Sequence, residues 1–167
     1  MNTLENISLR PVRPADEELL RTLYSSSREP ELAQVPWTAE QKRAFVLMQW
    51  QAQKRNNAME HPHASHVVIC REGIPVGRLY LDRSGDTFHI LDVVLLPEHR
   101  NHGAGSYLLG QIMAEAGDAG KPVTIFVERF SPSLRLFQRL GFTAVEQKGL
   151  HVLMKWCRPR LPSRRVS

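Results

Sequence analysis

Two hydrophobic periodicities divide the chain into elements. Residues 67–70 and 93–96 are continuous apolar runs, which are typical of central strands covered on both faces. Residues 7–13 alternate between apolar and polar, as a half-buried strand does. The apolar residues between Leu19 and Tyr24 instead recur at helical spacing. Along the whole chain, the pattern predicts the element order β-α-α-β-β-β-α-β-α-β-β, without repeats or a linker.

Residues that favour helix ends refine these boundaries. The serines and Pro30 in residues 25–30 predict the end of the first helix. Thr38 and Gln41 have the spacing of a capping box, which predicts a second helix that runs to about Met59. Serine and proline at 131–132 favour another helix start.

Strand candidates at 65–71, 74–82 and 87–96 are separated by short turn segments. This arrangement predicts a meander of antiparallel hairpins. Residues 123–127 form a further buried strand after a crossover helix. Because a strand that follows such a helix runs parallel to its predecessor, we expect one parallel pair.

A glycine loop follows the strand that ends near Leu95 and Pro97, with the pattern Arg100-x-x-Gly103-x-Gly105. Glycines permit positive φ and close approach of a ligand, and the unpaired N–H groups of a helix start favour an anion such as a diphosphate. The loop matches neither the dinucleotide fingerprint nor the phosphate loop of nucleotide hydrolases.

The loop resembles the acetyl-CoA loop of the GCN5-related N-acetyltransferase (GNAT) superfamily, whose pattern is Gln/Arg-x-x-Gly-x-Gly/Ala after a strand. A second match is Leu134-x-x-Phe137-x-x-x-Gly141-Phe142, which is similar to the family's helix-four signature. The element order agrees as well, so the resemblance covers nearly the whole chain. It implies an α/β (α+β) fold with a mixed, mainly antiparallel sheet of about seven strands and four helices.

The resemblance also implies acetyl-CoA as co-substrate, with pantetheine inserted between two splayed strands and the diphosphate on the glycine loop. The residues expected to contact it are Val93, Val94, Leu95, Arg100, Asn101, His102, Gly103, Ala104, Gly105, Ser106, Ser131, Ser133 and Phe137.

The implied reaction is direct attack of a primary amine, from a small molecule or a peptide or protein N-terminus, on the thioester. It needs a base for the ammonium proton. Asp92 is the first candidate because it lies on the strand beside the thioester, although a salt bridge or a turn contact would explain it equally well. Glu128 and His89 are weaker candidates, since strand alternation could turn either outward.

Two positions depart from the family pattern. Phe137 stands where many relatives have a tyrosine that protonates the leaving thiolate, and Phe130 replaces an asparagine that contacts CoA. A CoA thiolate with a pKa near about 8.5 can leave without a dedicated acid. Phe137 nevertheless motivates an alternative, a regulatory module that binds acyl-CoA without turnover. Dimerisation is expected only because it is common in the family.

Length and composition are those of an ordinary globular protein: 167 residues, 42% hydrophobic and 23% charged. We expect one domain at 1–157 and a basic tail at 158–167. The net charge is +5, and four arginines lie in that tail. The net positive charge is therefore weak evidence for nucleic acid binding.

No secretory signal or membrane-length apolar run is evident, which predicts a cytoplasmic protein that does not bind membranes. Cys70 and Cys157 form no disulfide framework and no zinc spacing. His61, His63 and His66 are close in sequence, but the small residues around them indicate a surface loop, and we expect no metal there.

Overall fold

The computed structural model describes residues 6–159. Within them the elements follow the predicted order: β1 (Ile7–Pro11), α1 (Glu17–Leu32), α2 (Ala39–Glu60), β2 (Ser65–Arg71), β3 (Ile74–Asp82), β4 (Phe88–Leu95), α3 (Ala104–Asp118), β5 (Val123–Glu128), α4 (Ser133–Arg139), β6 (Thr143–Lys148) and β7 (His151–Trp156). Short 3-10 turns at Pro14–Asp16 and Pro97–His99 precede α1 and follow β4.

The described strands form one sheet in the order β1-β2-β3-β4-β5-β7-β6. Neighbouring strands are antiparallel except β4 and β5, which are parallel. The parallel pair arises because α3 carries the chain across the sheet between them. The predicted mixed, mainly antiparallel sheet of seven strands flanked by four helices is therefore confirmed.

Helices cover both faces of the sheet and bury two separate apolar clusters. The α3–α4 core contains Leu109 and Ile112 of α3 and Phe137 of α4, packed on strand residues such as Ile125. The α1–α2 core is smaller and is built on buried residues of the first two helices, including Trp50. Coverage on both faces explains why the central strands read as continuous apolar runs.

The predicted end of the first helix at residues 25–30 is wrong. α1 continues to Leu32, and Pro30 lies inside its last turn. The hydroxyls of Ser26 and Ser27 donate to backbone carbonyls one turn earlier, so they remain within the helix. Because Pro30 is so near the end, it removes little helical hydrogen bonding, and burial of Leu32 favours the extension. The added turn brings Arg28 to β5.

No helix among the described residues is long and apolar enough to cross a membrane. No three His, Cys, Asp or Glu side chains in residues 6–159 are grouped as metal ligands. Arg158, the first residue of the predicted tail, contacts Asp118 at the end of α3 at 2.9 Å. The tail from residue 160 onward lies outside the described residues.

Gly77 of β3 lies where β4 approaches closely, and we expect Gly77→Ala to destabilise the protein. A Cβ there would overlap the carbonyl oxygen of Val94 and lie 2.8 Å from Cδ2 of Leu95. Because that oxygen belongs to the sheet backbone, we expect the free energy of unfolding to fall by about 1–3 kcal/mol, measured by urea denaturation. Gly110→Ala is the control, since open space surrounds Gly110 in α3. Equal losses in both variants would contradict the close approach.

Candidate active site

β4 and β5 pair over only part of their length. The parallel pairing ends at Ile90 and Ile125, although β4 continues to Leu95 and β5 to Glu128. β5 stays paired with β7 throughout. The sheet therefore has an opening between the C-terminal halves of its two central strands.

A β-bulge in β4 lies at the apex of this opening. Tyr80 of β3 is opposite Asp92, and Leu81 is opposite Ile90, so Leu91 has no partner of its own on β3. An inserted residue of this kind changes which face the following side chains point to.

The bulge places His89 and Asp92 on the same face of the sheet. Ile90 before the bulge and Val93 and Leu95 after it all pack in or against the α3–α4 core. Because side chains alternate along a strand, the residues between them face the opposite layer. His89 and Asp92 thus both lie on the α1–α2 side of the opening, although they are three residues apart.

Backbone groups of β4 line the opening. The N–H of Leu96 donates to the carbonyl of Val76 at 2.8 Å, and the same register continues along β3. Hydrogen-bonded pairs alternate in an antiparallel ladder, so the backbone of Val94 faces β3, whereas the backbones of Val93 and Leu95 face the opening. Val93 and Leu95, two of the three predicted strand contacts, therefore direct their N–H and C=O groups into the opening, where these groups could bond an added extended chain.

The loop after β4 has the conformation that its glycine pattern predicts. Asn101 has a φ of 64° and Gly103 a φ of 83°, and Gly103 is the N-cap of α3. Glycine adopts this left-handed conformation without strain, and asparagine tolerates it better than most residues that carry a Cβ. The turn leaves the N–H groups of Ala104, Gly105 and Ser106 without acceptors inside the helix.

These donors fit a diphosphate. They lie at the positive end of the dipole of a 15-residue helix, and a Cβ on Gly105 would meet no atom within 4 Å. His102 and Ser106 are exposed beside them. The exposed Arg100 adds positive charge, and its Nε donates to the carbonyl of Leu95 at 3.0 Å.

The α4 segment contains the remaining predicted CoA contacts, at Ser131, Ser133 and Phe137. The hydroxyl of Ser131 accepts from the N–H of Ser133 at 3.2 Å and so satisfies the first turn of α4. Phe130 is exposed, whereas Phe137 is only 3% exposed and packs edge-on against Phe142. Phe137 is a core side chain without a proton to give, and CoA contacts at these positions stay predictions.

Asp92 is held in an ion pair. Nε of Arg78 donates to Oδ2 of Asp92 at 3.0 Å, and Nη2 contacts the same oxygen. Arg78 is 3% exposed, so Asp92 rather than solvent neutralises its guanidinium. If Asp92 took up a proton, a buried guanidinium would lose its counter-charge, which is costly. The salt bridge considered as the alternative role of Asp92 is therefore present.

His89 has the properties of a base at this place. Its Nδ1 lies 2.9 Å from the hydroxyl of Thr124 on β5, and Phe126 packs edge-on against its ring. Burial, and then the charge of His61, lower the pKa of His89 below its usual value. The imidazole is therefore neutral at neutral pH, immediately before the bulge that opens the sheet.

Glu128 is already paired. Its Oε1 lies 3.3 Å from Nη1 of Arg28 in α1, and the same guanidinium lies 3.5 Å from Glu31. Burial, and then the hydrogen bond and charge of Glu31, raise the pKa of Glu128. This cluster lies at the open end of β5.

Sequence reasoning missed the partners of His89. Nδ1 of His61 lies 2.7 Å from Oδ2 of Asp82, and the ring of His61 stacks on that of His89 at 5.6 Å. His61 is the C-cap of α2 rather than part of a surface loop, and His66 lies within β2. No local pattern links residues 61, 82 and 89, because only the packing of α2 on the sheet brings them together.

Comparisons with known proteins agree with this geometry. The family model described as "Acetyltransferase (GNAT) family" matches residues 19–142. A search of curated proteins found no match.

Solved structures share the fold at low sequence identity. PaiA N-acetyltransferase from Thermoplasma acidophilum, in complex with coenzyme A, is 17% identical with a TM-score of 0.69, over 89% of this chain and 97% of that chain. An acetyltransferase from Thermus thermophilus is 20% identical with a TM-score of 0.65, over 93% and 99%. YncA, a putative acetyltransferase from Salmonella typhimurium with acetyl-CoA, is 20% identical with a TM-score of 0.53, over 97% and 99%.

The family match spans both motifs, the glycine loop and the segment that ends at Phe142, together with the strands between which the sheet opens. The protein therefore belongs to the GNAT family of acetyltransferases.

Proposed function

We propose that the protein transfers the acetyl group of acetyl-CoA to a primary amine of a small molecule or peptide by direct attack. The observation that carries this proposal is the opening between β4 and β5, together with the glycine loop that connects β4 to the start of α3 and whose Arg100 bonds the carbonyl of Leu95. An extended pantetheine arm and a diphosphate need these two features side by side. The similar PaiA and YncA structures were solved with coenzyme A and acetyl-CoA, respectively.

Acetyl-CoA supplies an activated thioester, and the protein orients it. The backbone groups of Val93 and Leu95 bond the pantetheine as an added strand would, while the first N–H groups of α3 hold the diphosphate. Arg100 bonds the Leu95 carbonyl and shares or releases it when the arm enters. The acceptor amine approaches from the α1–α2 side, where His89 lies.

His89 is the proposed base. We assign the proton of the neutral ring to Nδ1, which then donates to the hydroxyl of Thr124 and leaves the Nε2 lone pair to take the proton of the ammonium group. The N–H bond of the acceptor ammonium breaks as the Nε2–H bond forms, and the neutral amine attacks the thioester carbonyl. The C–N bond forms, the C–S bond breaks, the CoA thiolate leaves, and the second proton lost by the nitrogen passes to the thiolate or to water. Asp92 keeps Arg78 neutralised throughout.

A second candidate function, acyl-CoA binding without turnover, is supported by the burial of Phe137. Phe137 has no hydroxyl that could protonate the leaving thiolate. In the transferase the thiolate would leave unassisted, as a pKa of about 8.5 permits. The two functions differ in one measurement. Release of free CoA in the presence of a broad panel of amines supports the transferase, and tight CoA binding without release from any of them supports the regulatory module.

Gly103→Val should abolish most CoA binding. A β-branched residue is strongly disfavoured at positive φ, so the turn would shift and move the N–H groups away from the diphosphate. Hydrogen bonds to charged groups are worth about 1.5–3 kcal/mol each. The loss of one or two of them predicts roughly 100-fold weaker CoA binding in calorimetry.

Gly120→Val is the matched control. Gly120 also has a positive φ, 70°, but it lies at the other end of α3 with nothing within 4 Å. The two variants impose similar backbone strain, and only the first should weaken CoA binding. Absence of saturable CoA binding by the unmodified protein would overturn the proposed function itself.

A further inference from the structure

The end of α2 brings a second imidazole against the proposed base. His61 caps the C-terminus of α2, and its ring lies nearly parallel to that of His89, with centroids 5.6 Å apart and planes at 19°. His61 is not bonded to His89, so it acts on His89 through space. A proton on one ring therefore puts a positive charge against the other.

Asp82 holds His61 in this position. Oδ1 of Asp82 accepts from the backbone N–H of Ser84 at 2.9 Å and from its hydroxyl at 2.5 Å, while Oδ2 faces Nδ1 of His61. The hydroxyl bond of Ser84, joined by its backbone bond and by His61, lowers the pKa of Asp82 to about 2. The ionised carboxylate accepts from Nδ1–H, which sets the tautomer and the ring plane of His61.

We propose that His61, oriented by Asp82, is a positioning residue that controls how readily His89 takes up a proton. This inference rests on the proposed function only in its consequence for catalysis, because the coupling between the two rings exists without substrate. The charged groups that act on His89 within the described residues are His61 and Asp82. Thr124 and Phe126, which contact it from β5, are uncharged.

The direction of the coupling follows from charge. A protonated His61 disfavours a second proton on His89, so it increases the fraction of His89 in the neutral form that can act as a base, while it lowers the proton affinity of that form. The negative charge of Asp82 acts in the opposite direction and raises the pKa of His89, but more weakly than His61 lowers it. Asp82 also fixes the position of His61 through their hydrogen bond. A neutral side chain at position 61 and a positively charged one should therefore shift the titration midpoint of His89 in opposite directions.

The test is an NMR titration of ¹³C-labelled histidine rings in the free protein, with the His89 signal identified by its loss in His89→Gln. In His61→Gln the titration midpoint of His89 should move to higher pH, because no positive charge can then form against its ring. In His61→Lys it should move to lower pH, because the ammonium stays charged and still pairs with Asp82. At a 5.6 Å separation, even water-like screening predicts a difference of about 0.5 pH unit.

His63→Gln is the control, since His63 is exposed and only two residues from His61; it should leave the His89 midpoint unchanged. If His61 had a purely structural role, both His61 variants would move the His89 midpoint in the same direction. That result overturns the inference, as does an unchanged midpoint in both variants. Because the titration needs neither CoA nor an acceptor, its failure is distinct from failure of CoA binding, which would overturn the proposed function.

Discussion

His89→Gln should lower kcat for acetyl transfer by about 10²- to 10⁴-fold, the usual contribution of a positioned general base. The amide side chain retains a hydrogen bond to Thr124 but has no lone pair basic enough to take the ammonium proton. CoA affinity should be unchanged, because His89 lies beyond the backbone groups that face the opening. The measurement is steady-state kinetics with the best amine of the panel.

The pH–rate profile of the unmodified protein should report the titration of His89. The pKa of His89 is lowered by burial and by His61, so the rate should fall only as the pH drops below the usual histidine range. In His89→Gln this acidic limb should disappear. His66→Gln is the matched control. His66 is also a half-buried histidine of the α1–α2 side, with its pKa lowered to about 4 by burial, but it lies on β2 and stacks on Tyr80. An unchanged kcat in His89→Gln would remove it as the base.

Asp92→Asn is expected to affect stability more than chemistry. The substitution leaves Arg78, which is 3% exposed, without its counter-charge, and the loss of one partner of such a pair typically costs about 3 kcal/mol. Urea unfolding measures this loss. At temperatures where the variant remains folded, CoA binding and kcat should stay close to those of the unmodified protein.

The double variant Asp92→Asn with Arg78→Met tests the cause. If the unpaired guanidinium is responsible, removal of both partners should recover much of the lost stability. A contrary result would be a stable Asp92→Asn protein whose kcat falls at neutral pH and recovers at alkaline pH. That behaviour would assign the base to Asp92 and the salt bridge to a secondary role.

Much of the architecture was predictable because its signals are local. The capping box at Thr38 and Gln41 is present as predicted, with both hydrogen bonds formed. The predicted end of the first helix is wrong because a proline ends a helix only when no other contact stabilises the following turn. Burial of Leu32 in the α1–α2 core compensates, and that contact is tertiary.

The backbone conformation of the glycine loop was predictable for the same reason. Arg100, Gly103 and Gly105 are neighbours in the chain, and a strand, a positive-φ turn and a helix start need only short-range interactions. Phe137 was also recognisable from sequence as a departure from the family pattern, and the structure adds that it is buried. The contacts of these residues with CoA stay predictions.

The choice between His89 and Asp92 required the tertiary structure. Residue alternation along an unbroken strand puts positions 89 and 92 on opposite faces, and nothing in the local sequence marks the bulge at Leu91 that brings them to the same face. The partners of the two residues, Arg78 for Asp92 and His61 for His89, come from a neighbouring strand and a distant helix. The chain thus carries its element order and the conformation of its glycine loop in short-range patterns. Which side chain is free to accept a proton depends on long-range packing and burial, which those patterns do not contain.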